Sequence, residues 1–161
     1  MSGPPFRRIL LVCTGNTCRS PMATALLERA LRERMDPGAG GIEVRSAGLA
    51  VASPGAPASA NACRALAERG LSLAGHRAME CGAGVLDWAD LVLTMTSAQR
   101  EEVVRISPRL AERTFALREF SSGLKGPWAD VRDPIGGDLA TYRASAAELE
   151  EEAGKLVLLL T

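Results

Sequence analysis

The 161-residue sequence predicts an α/β fold: one domain, residues 1–161, built as a doubly wound, four-stranded parallel sheet with helices on both faces. Three observations predict it. Short apolar runs alternate along the chain with segments whose apolar residues recur at helical spacing. The runs Ile9–Val12 and Leu91–Met95 are almost wholly apolar instead of alternating, as strands buried on both faces must be. Gly, Pro and Asp clusters punctuate the chain between them. A chain of this length buries about 70% of its unfolded surface and folds without staples.

The first strand is placed at Arg7–Val12, ended by a Gly-containing turn. Pro21 then opens a helical pattern through Met22, Ala25, Leu26 and Ala30 to about Met35. Proline suits that position because the first helical amides have no intrahelical acceptor. Residues 37–41, Pro-Gly-Ala-Gly-Gly, end that helix. Ile42–Ser46 reads as a second strand, and Gly48–Ala60 as a surface loop marked by Pro54 and Pro57. Ser59 is placed to cap a helix from Ala60 to Arg69, with Gly70 as its stop. Leu91–Met95 is the third strand. Thr96 or Ser97 caps the next helix, which runs to about Ile106 before Pro108. Thr114–Leu117 is a short fourth strand. Ser121–Gly137 reads as a long loop, and long loops inside compact domains are usually functional. The last helix, Leu139–Leu160, carries apolar residues at Tyr142, Ala146, Leu149, Ala153, Leu156 and Leu160.

Composition narrows the functional classes. Nineteen basic residues balance nineteen acidic ones, so the chain has no overall charge with which to bind nucleic acid or an anionic membrane. No run of 18 apolar residues spans a bilayer, and the apolar run after Arg7-Arg8 is too soon broken to be a signal peptide. A cytoplasmic monomer is expected. The four cysteines, Cys13, Cys18, Cys63 and Cys81, are then expected as reduced thiols, and their spacing does not suit structural zinc. Cys63 and Cys81 read as structural.

The chemistry concentrates after the first strand, in Cys13-Thr14-Gly15-Asn16-Thr17-Cys18-Arg19-Ser20-Pro21. Ligands of open α/β sheets bind beyond the carboxyl ends of the strands. A loop there that feeds a helix N-terminus offers unpaired amides and a positive dipole end, which together make an anion site. Gly15 is expected to supply a positive φ, and Arg19 a planar fork for two phosphate oxygens. Cys13, facing those amides and Arg19, is expected as a thiolate nucleophile. Alone, Cys13 would read as a buried small hydrophobe and Gly15-Asn16 as a turn. Together, Cys-x5-Arg-Ser at a strand–loop–helix junction reverses that reading. No Gly-Lys-Ser/Thr follows, so nucleoside triphosphate chemistry is not indicated.

This loop resembles the phosphate-binding loop of the low-molecular-weight protein tyrosine phosphatases. The resemblance continues through Val44-Arg45-Ser46-Ala47-Gly48, Ala89–Met95 and Asp133-Pro134, in order along nearly the whole chain. It implies Cys13 as nucleophile forming a phosphocysteine, Arg19 as phosphate clamp and Asp133 as general acid. It implies a phosphate cradle of Thr14, Gly15, Asn16, Thr17, Cys18, Arg19 and Ser20, supported by Asn16, Ser20 and Ser46, with no metal or other cofactor. Phosphorylated proteins or peptides are the implied substrates. Asp133 also stands on its own chemistry: a leaving group departs badly unless protonated, and a carboxylic acid on a Pro/Gly-rich loop can protonate it. Asp130 competes for the role but lacks the following proline. Ser20 is suited to donate a hydrogen bond to Cys13 as it leaves phosphorus. His76, the single histidine, is not assigned to the site.

Within that family the loop and the run Asp133-Pro134-Ile135-Gly136-Gly137 are most similar to the bacterial protein arginine phosphatases. Thr17 stands where a threonine favours phosphoarginine, and its β-branch holds the hydroxyl in place. Thr17 and Ile135 are therefore the expected specificity residues, although the arginine phosphatases usually carry an aromatic at the position of Ile135. The alternative is a tyrosine phosphatase. An arsenate reductase would need redox cysteines after the third strand, where Leu93–Ser97 has none. A thiol redox sensor would use Cys13 and Cys18 alone.

Overall fold

The computed structural model describes residues 6–35 and 41–161. Four strands form one parallel sheet: β1 (Arg8–Cys13), β2 (Glu43–Gly48), β3 (Leu91–Thr94) and β4 (Thr114–Ala116), in the spatial order β2-β1-β3-β4. The doubly wound α/β sheet anticipated from the apolar pattern is therefore present. Among the described residues six helices accompany it: α1 (Arg19–Arg34), α2 (Ala60–Ala67), α3 (Ala83–Trp88), α4 (Ser97–Ile106), α5 (Leu117–Ser122) and α6 (Leu139–Leu160).

The period-two geometry of β1 divides the core. Ile9 and Leu11 point to one face and join the residues of α1, α2 and α6, including Met22, Leu26, Leu66, Leu149 and Leu156. Leu10 and Val12 point to the other and join Leu86, Val92, Val103 and Leu110. All four β1 residues are fully buried, which explains why no polar residue interrupts the run.

Some boundaries differ from the sequence expectation. β2 runs two residues past Ser46 to Gly48, because β1 offers it partners up to Cys13. β4 ends at Ala116, and Leu117 begins α5. The stretch Ser121–Gly137 is not all loop: α5 occupies its first two residues and a 3₁₀ turn spans Gly126–Ala129. Helices α5 and α3 were not expected; each has only six residues, too short to show a helical period. α1 begins at Arg19, so Pro21 sits third, still among the amides that need no acceptor. The expected Gly-rich stop after α1 falls mostly on residues 36–40, outside the described residues.

The caps set the helix starts. Ser59 Oγ accepts the Ala62 amide at the head of α2, as expected. At α4 the cap is Thr96, not Ser97: Thr96 Oγ1 accepts the Gln99 amide while Gln99 Oε1 accepts the Thr96 amide. Asp138 caps α6 through the Thr141 amide. Among the described residues no helix is long and apolar enough to cross a membrane.

Candidate active site

β1 is a central strand, so its carboxyl end opens between β2 and β3, and the chain turns there through Cys13–Ser20 into α1. Cys13 is buried at the floor of the turn. Its Sγ accepts the Asn16 amide at 3.2 Å and lies 2.9 Å from Ser20 Oγ. Ser20 Oγ itself accepts from Asn16 Nδ2 at 2.8 Å. The Ser20 proton can then go to the sulfur, which would give Cys13 two donors, the Asn16 amide and the Ser20 hydroxyl, the arrangement a thiolate nucleophile uses.

The bend falls one residue later than expected. Asn16, not Gly15, is left-handed, with φ 58°, and it is the single non-glycine at positive φ among the described residues. Such strain persists only where surroundings over-determine it. They do so here: Asn16 Nδ2 also donates to Ser46 Oγ at 2.9 Å, Oδ1 accepts the Met79 amide at 2.9 Å, and the main-chain carbonyl accepts from His76 Nε2 at 2.6 Å. A carbonyl only accepts, so Nε2 carries the proton of His76. Gly15 lines the hollow beside the thiol, with only ordinary contact to Thr17 Oγ1 if a Cβ is added.

Arg19 is buried at the start of α1 and grips the opposite wall. Nη1 donates to the Val131 carbonyl at 3.0 Å and Nη2 to Asp133 Oδ2 at 3.3 Å. The Val131 amide in turn donates to the Met95 carbonyl, which ties this loop to the end of β3. Asp133 Oδ1 accepts the Ile135 amide at 3.1 Å, and the side chain keeps 41% of its surface exposed. Asp130 is separated from this role by geometry, since its Oδ1 accepts the Ser97 amide at the head of α4.

Cys13, Gly15, Asn16, Thr17, Cys18, Arg19, Asp133 and Ile135 enclose a hollow of about 20 Å³, little more than one water requires. Thr17 and Ile135 both line this hollow, and among the described residues no aromatic does.

Several participants carried no sequence signal. Gln99 lies under the loop: with Oε1 held by the Met95 and Thr96 amides, its Nε2 must face Thr14 Oγ1, to which it donates at 3.0 Å. Gly48 has no room for a side chain, because a Cβ would sit 2.6 Å from the Thr14 carbonyl oxygen. Tyr142 Oη, from α6, stands 3.2 Å from Cys18 Sγ, and Cys18 also donates to Ser59 Oγ at 3.5 Å. Burial foremost, and then the Cys18 contact, push the Tyr142 phenol up, so it stays protonated. His76 and Tyr142 are each the single residue of their type, which marks them only once their neighbours are known. Cys63 and Cys81 lie away from the hollow. Burial, with a smaller contribution from Glu102, pushes the Cys81 thiol up to about 11.

A doubly wound sheet that presents a cysteine, a cradle of amides and an arginine at one strand end defines a cysteine-dependent phosphatase. The family model described as "Low molecular weight phosphotyrosine protein phosphatase" matches residues 8–161, and the chain belongs to that family. It is 45% identical over 143 residues to a protein-arginine-phosphatase of Geobacillus stearothermophilus, covering 89% of this chain and 88% of the relative. It is 33% identical over 145 residues to a probable low molecular weight protein-tyrosine-phosphatase, EpsP, of Ralstonia solanacearum, with 90% of each chain covered. Among solved structures it is similar to the YwlE arginine phosphatase, determined as a cysteine-to-serine mutant with a phosphorylated active-site serine. That match has a TM-score of 0.85 at 36% identity and covers 95% of both chains.

Proposed function

We propose that this phosphatase removes phosphate from phosphoarginine in proteins, working as a single-domain monomer, residues 1–161, in the cytoplasm, where a catalytic thiol stays reduced. The observation that carries the chemistry is the Cys13 sulfur receiving the Asn16 amide and Ser20 while Arg19 and Asp133 face it across one small hollow. Cys13 Sγ attacks phosphorus, the P–N bond breaks, and Asp133 delivers its proton to the departing guanidine nitrogen. Arg19 and the loop amides of residues 14–20 hold the phosphoryl oxygens. Asp133, now a carboxylate, takes a proton from the water that attacks the phosphocysteine. The S–P bond breaks, and the Cys13 thiolate leaves onto the Ser20 hydroxyl and the Asn16 amide. The step needs no metal or cofactor, since Arg19 and the amides neutralise the phosphate.

Phosphoarginine is favoured over phosphotyrosine by the rim. Thr17 and Asp133 give the hollow a polar wall next to which a guanidine is better placed than a phenyl ring, and the arginine phosphatase of Geobacillus stearothermophilus is a near relative. The second reading, a tyrosine phosphatase, is supported by Ile135, 67% exposed, as an apolar lip, and by the likeness to EpsP. The deciding experiment is kcat/KM on matched phosphoarginine and phosphotyrosine peptides. A higher value on phosphotyrosine overturns the arginine reading and leaves the phosphatase itself standing.

A further inference from the structure

The reaction hollow is small, and two of its residues, Arg19 and Asp133, also line a much larger trench. A depression of about 550 Å³ has Arg19 and Asp133 on its near wall and Glu102, Arg105, Asp130 and Arg132 beyond them. A second depression, about 710 Å³, adjoins it and shares Asp130 and Arg132. Arg132 therefore stands between the two, one residue before the proposed general acid.

The charges along this trench are unequally engaged. Asp130 is held by the Ser97 amide, and Asp138 by the amide and hydroxyl of Thr141. Glu148 faces Arg118 at 3.5 Å, and Arg118 also faces Glu152. Among the described residues, Arg105, Arg132 and Glu102 alone of the trench's charged side chains make neither an ion pair nor a side-chain hydrogen bond. Glu102 also lies close enough to Cys81 to help push up its thiol. The charge left for a ligand is thus two guanidinium groups against one carboxylate. Guanidinium forks match carboxylates in geometry.

We propose that Arg132 and Arg105 bind an acidic residue of the substrate protein next to the phosphorylated side chain, making the trench a specificity subsite for the flanking sequence. This rests on the reading of a phosphorylated protein as substrate. A carboxylate seated on Arg132 holds the substrate chain over the loop that carries Asp133. Both arginines are exposed, so the attraction is modest and sensitive to salt.

The test is kcat/KM on peptide pairs that differ only in a Glu or a Lys beside the phosphorylated residue. The wild-type enzyme should favour Glu by about 2–5-fold at low salt, the preference fading at high ionic strength. It should fall to near unity in the Arg105→Gln/Arg132→Gln double variant and rise in Glu102→Gln. Turnover of a small aryl phosphate, which does not reach the trench, should stay at the wild-type level in all three. No preference in the wild type, a preference that survives in the double variant, or a fall in Glu102→Gln overturns the proposal. So does loss of aryl phosphate turnover in the double variant, which would put the arginines in the reaction centre. Running both phosphoarginine and phosphotyrosine series separates the ideas: a chain active only on phosphotyrosine sinks the arginine reading while the flank preference is still measured.

Discussion

One sulfur, one guanidinium and one carboxylate divide the proposed chemistry, and each makes a separable prediction. The cradle around Cys13 consists of backbone amides and Arg19, whereas the nucleophile is a single atom. Cys13→Ser should therefore abolish turnover while vanadate still binds; residual turnover above about a tenth of wild type would reject covalent catalysis. Asp133 has an oxygen on Arg19 and an exposed side of its carboxyl facing the rim. Asp133→Asn should lower the rate by about 10²-fold or more on poor leaving groups and much less on an activated aryl phosphate. Equal losses on both would remove Asp133 from the acid role. Thr17 lines the hollow, and its hydroxyl lies 3.8 Å from Cys18 Sγ. Thr17→Ile makes that wall more apolar and should move the phosphoarginine-to-phosphotyrosine ratio of kcat/KM toward phosphotyrosine by about 10–200-fold. An unmoved ratio would transfer the filter to Ile135 and its loop.

Elements place these atoms through their ends. The loop and α1 begin where β1 stops, Gln99 reaches Thr14 from the first turn of α4, and Gly48 at the end of β2 lets the loop lie against it. α6 is capped by Asp138, five residues past Asp133, so the cap anchors the loop of the proposed acid. The Thr141 amide, and next its hydroxyl, hold the Asp138 carboxyl below the usual carboxylate range. A carboxylate depressed in the folded state contributes stability above its unfolded value, near 3.8, and that contribution is lost as pH falls through the folded value. Asp138→Ala should lower the urea midpoint at pH 7 and shrink the difference from wild type near pH 3. Asp138→Asn, which can still accept the amide, should fall between them. A deficit that is the same at both pH values would show that the charge contributes nothing.

At the scale of the molecule, the loop is where three distant parts of the chain meet. Cys18 touches Ser59 at the head of α2 and Tyr142 of α6, and His76 from the segment after α2 holds the Asn16 carbonyl. All four cysteines are free thiols in this structure. A reactive thiolate at Cys13 with a second thiol in the same loop can be trapped as a disulfide before irreversible oxidation. Peroxide should therefore inactivate the enzyme reversibly through a Cys13–Cys18 disulfide. Cys18→Ser should keep most initial activity and make the oxidation irreversible. Full recovery by thiol in that variant would sink the disulfide. Cys81, held protonated by burial with its thiol near 11, should take no part and should resist alkylation at pH 8.

Local chemistry is legible in a sequence where neighbours in space are neighbours in the chain. The strands β1 and β3 announce themselves because burial on both faces forbids polar residues, and α6 because a single apolar stripe runs through 22 residues. Cys13, Asn16, Arg19 and Ser20 could be read together for the same reason: one turn and the first residues of one helix hold all four. Helices α3 and α5 could not, since six residues contain less than two turns of period. Nor could the left-handed residue be told from Gly15-Asn16 alone. Glycine takes that conformation at no steric cost, and Asn16 takes it because Ser46, His76 and Met79 bind it from 30, 60 and 63 residues away. The same holds for Gln99, Tyr142 and Gly48, whose side chains or lack of one matter only against a loop contributed by another part of the chain. The sequence by itself predicted the parallel sheet and pointed to Cys13 and Arg19 as the candidate nucleophile and clamp at its strand end. Pro134 already favoured Asp133 over Asp130 in the sequence, but only tertiary packing shows what each carboxylate holds, because α4 offers Asp130 the Ser97 amide while Arg19 reaches Asp133.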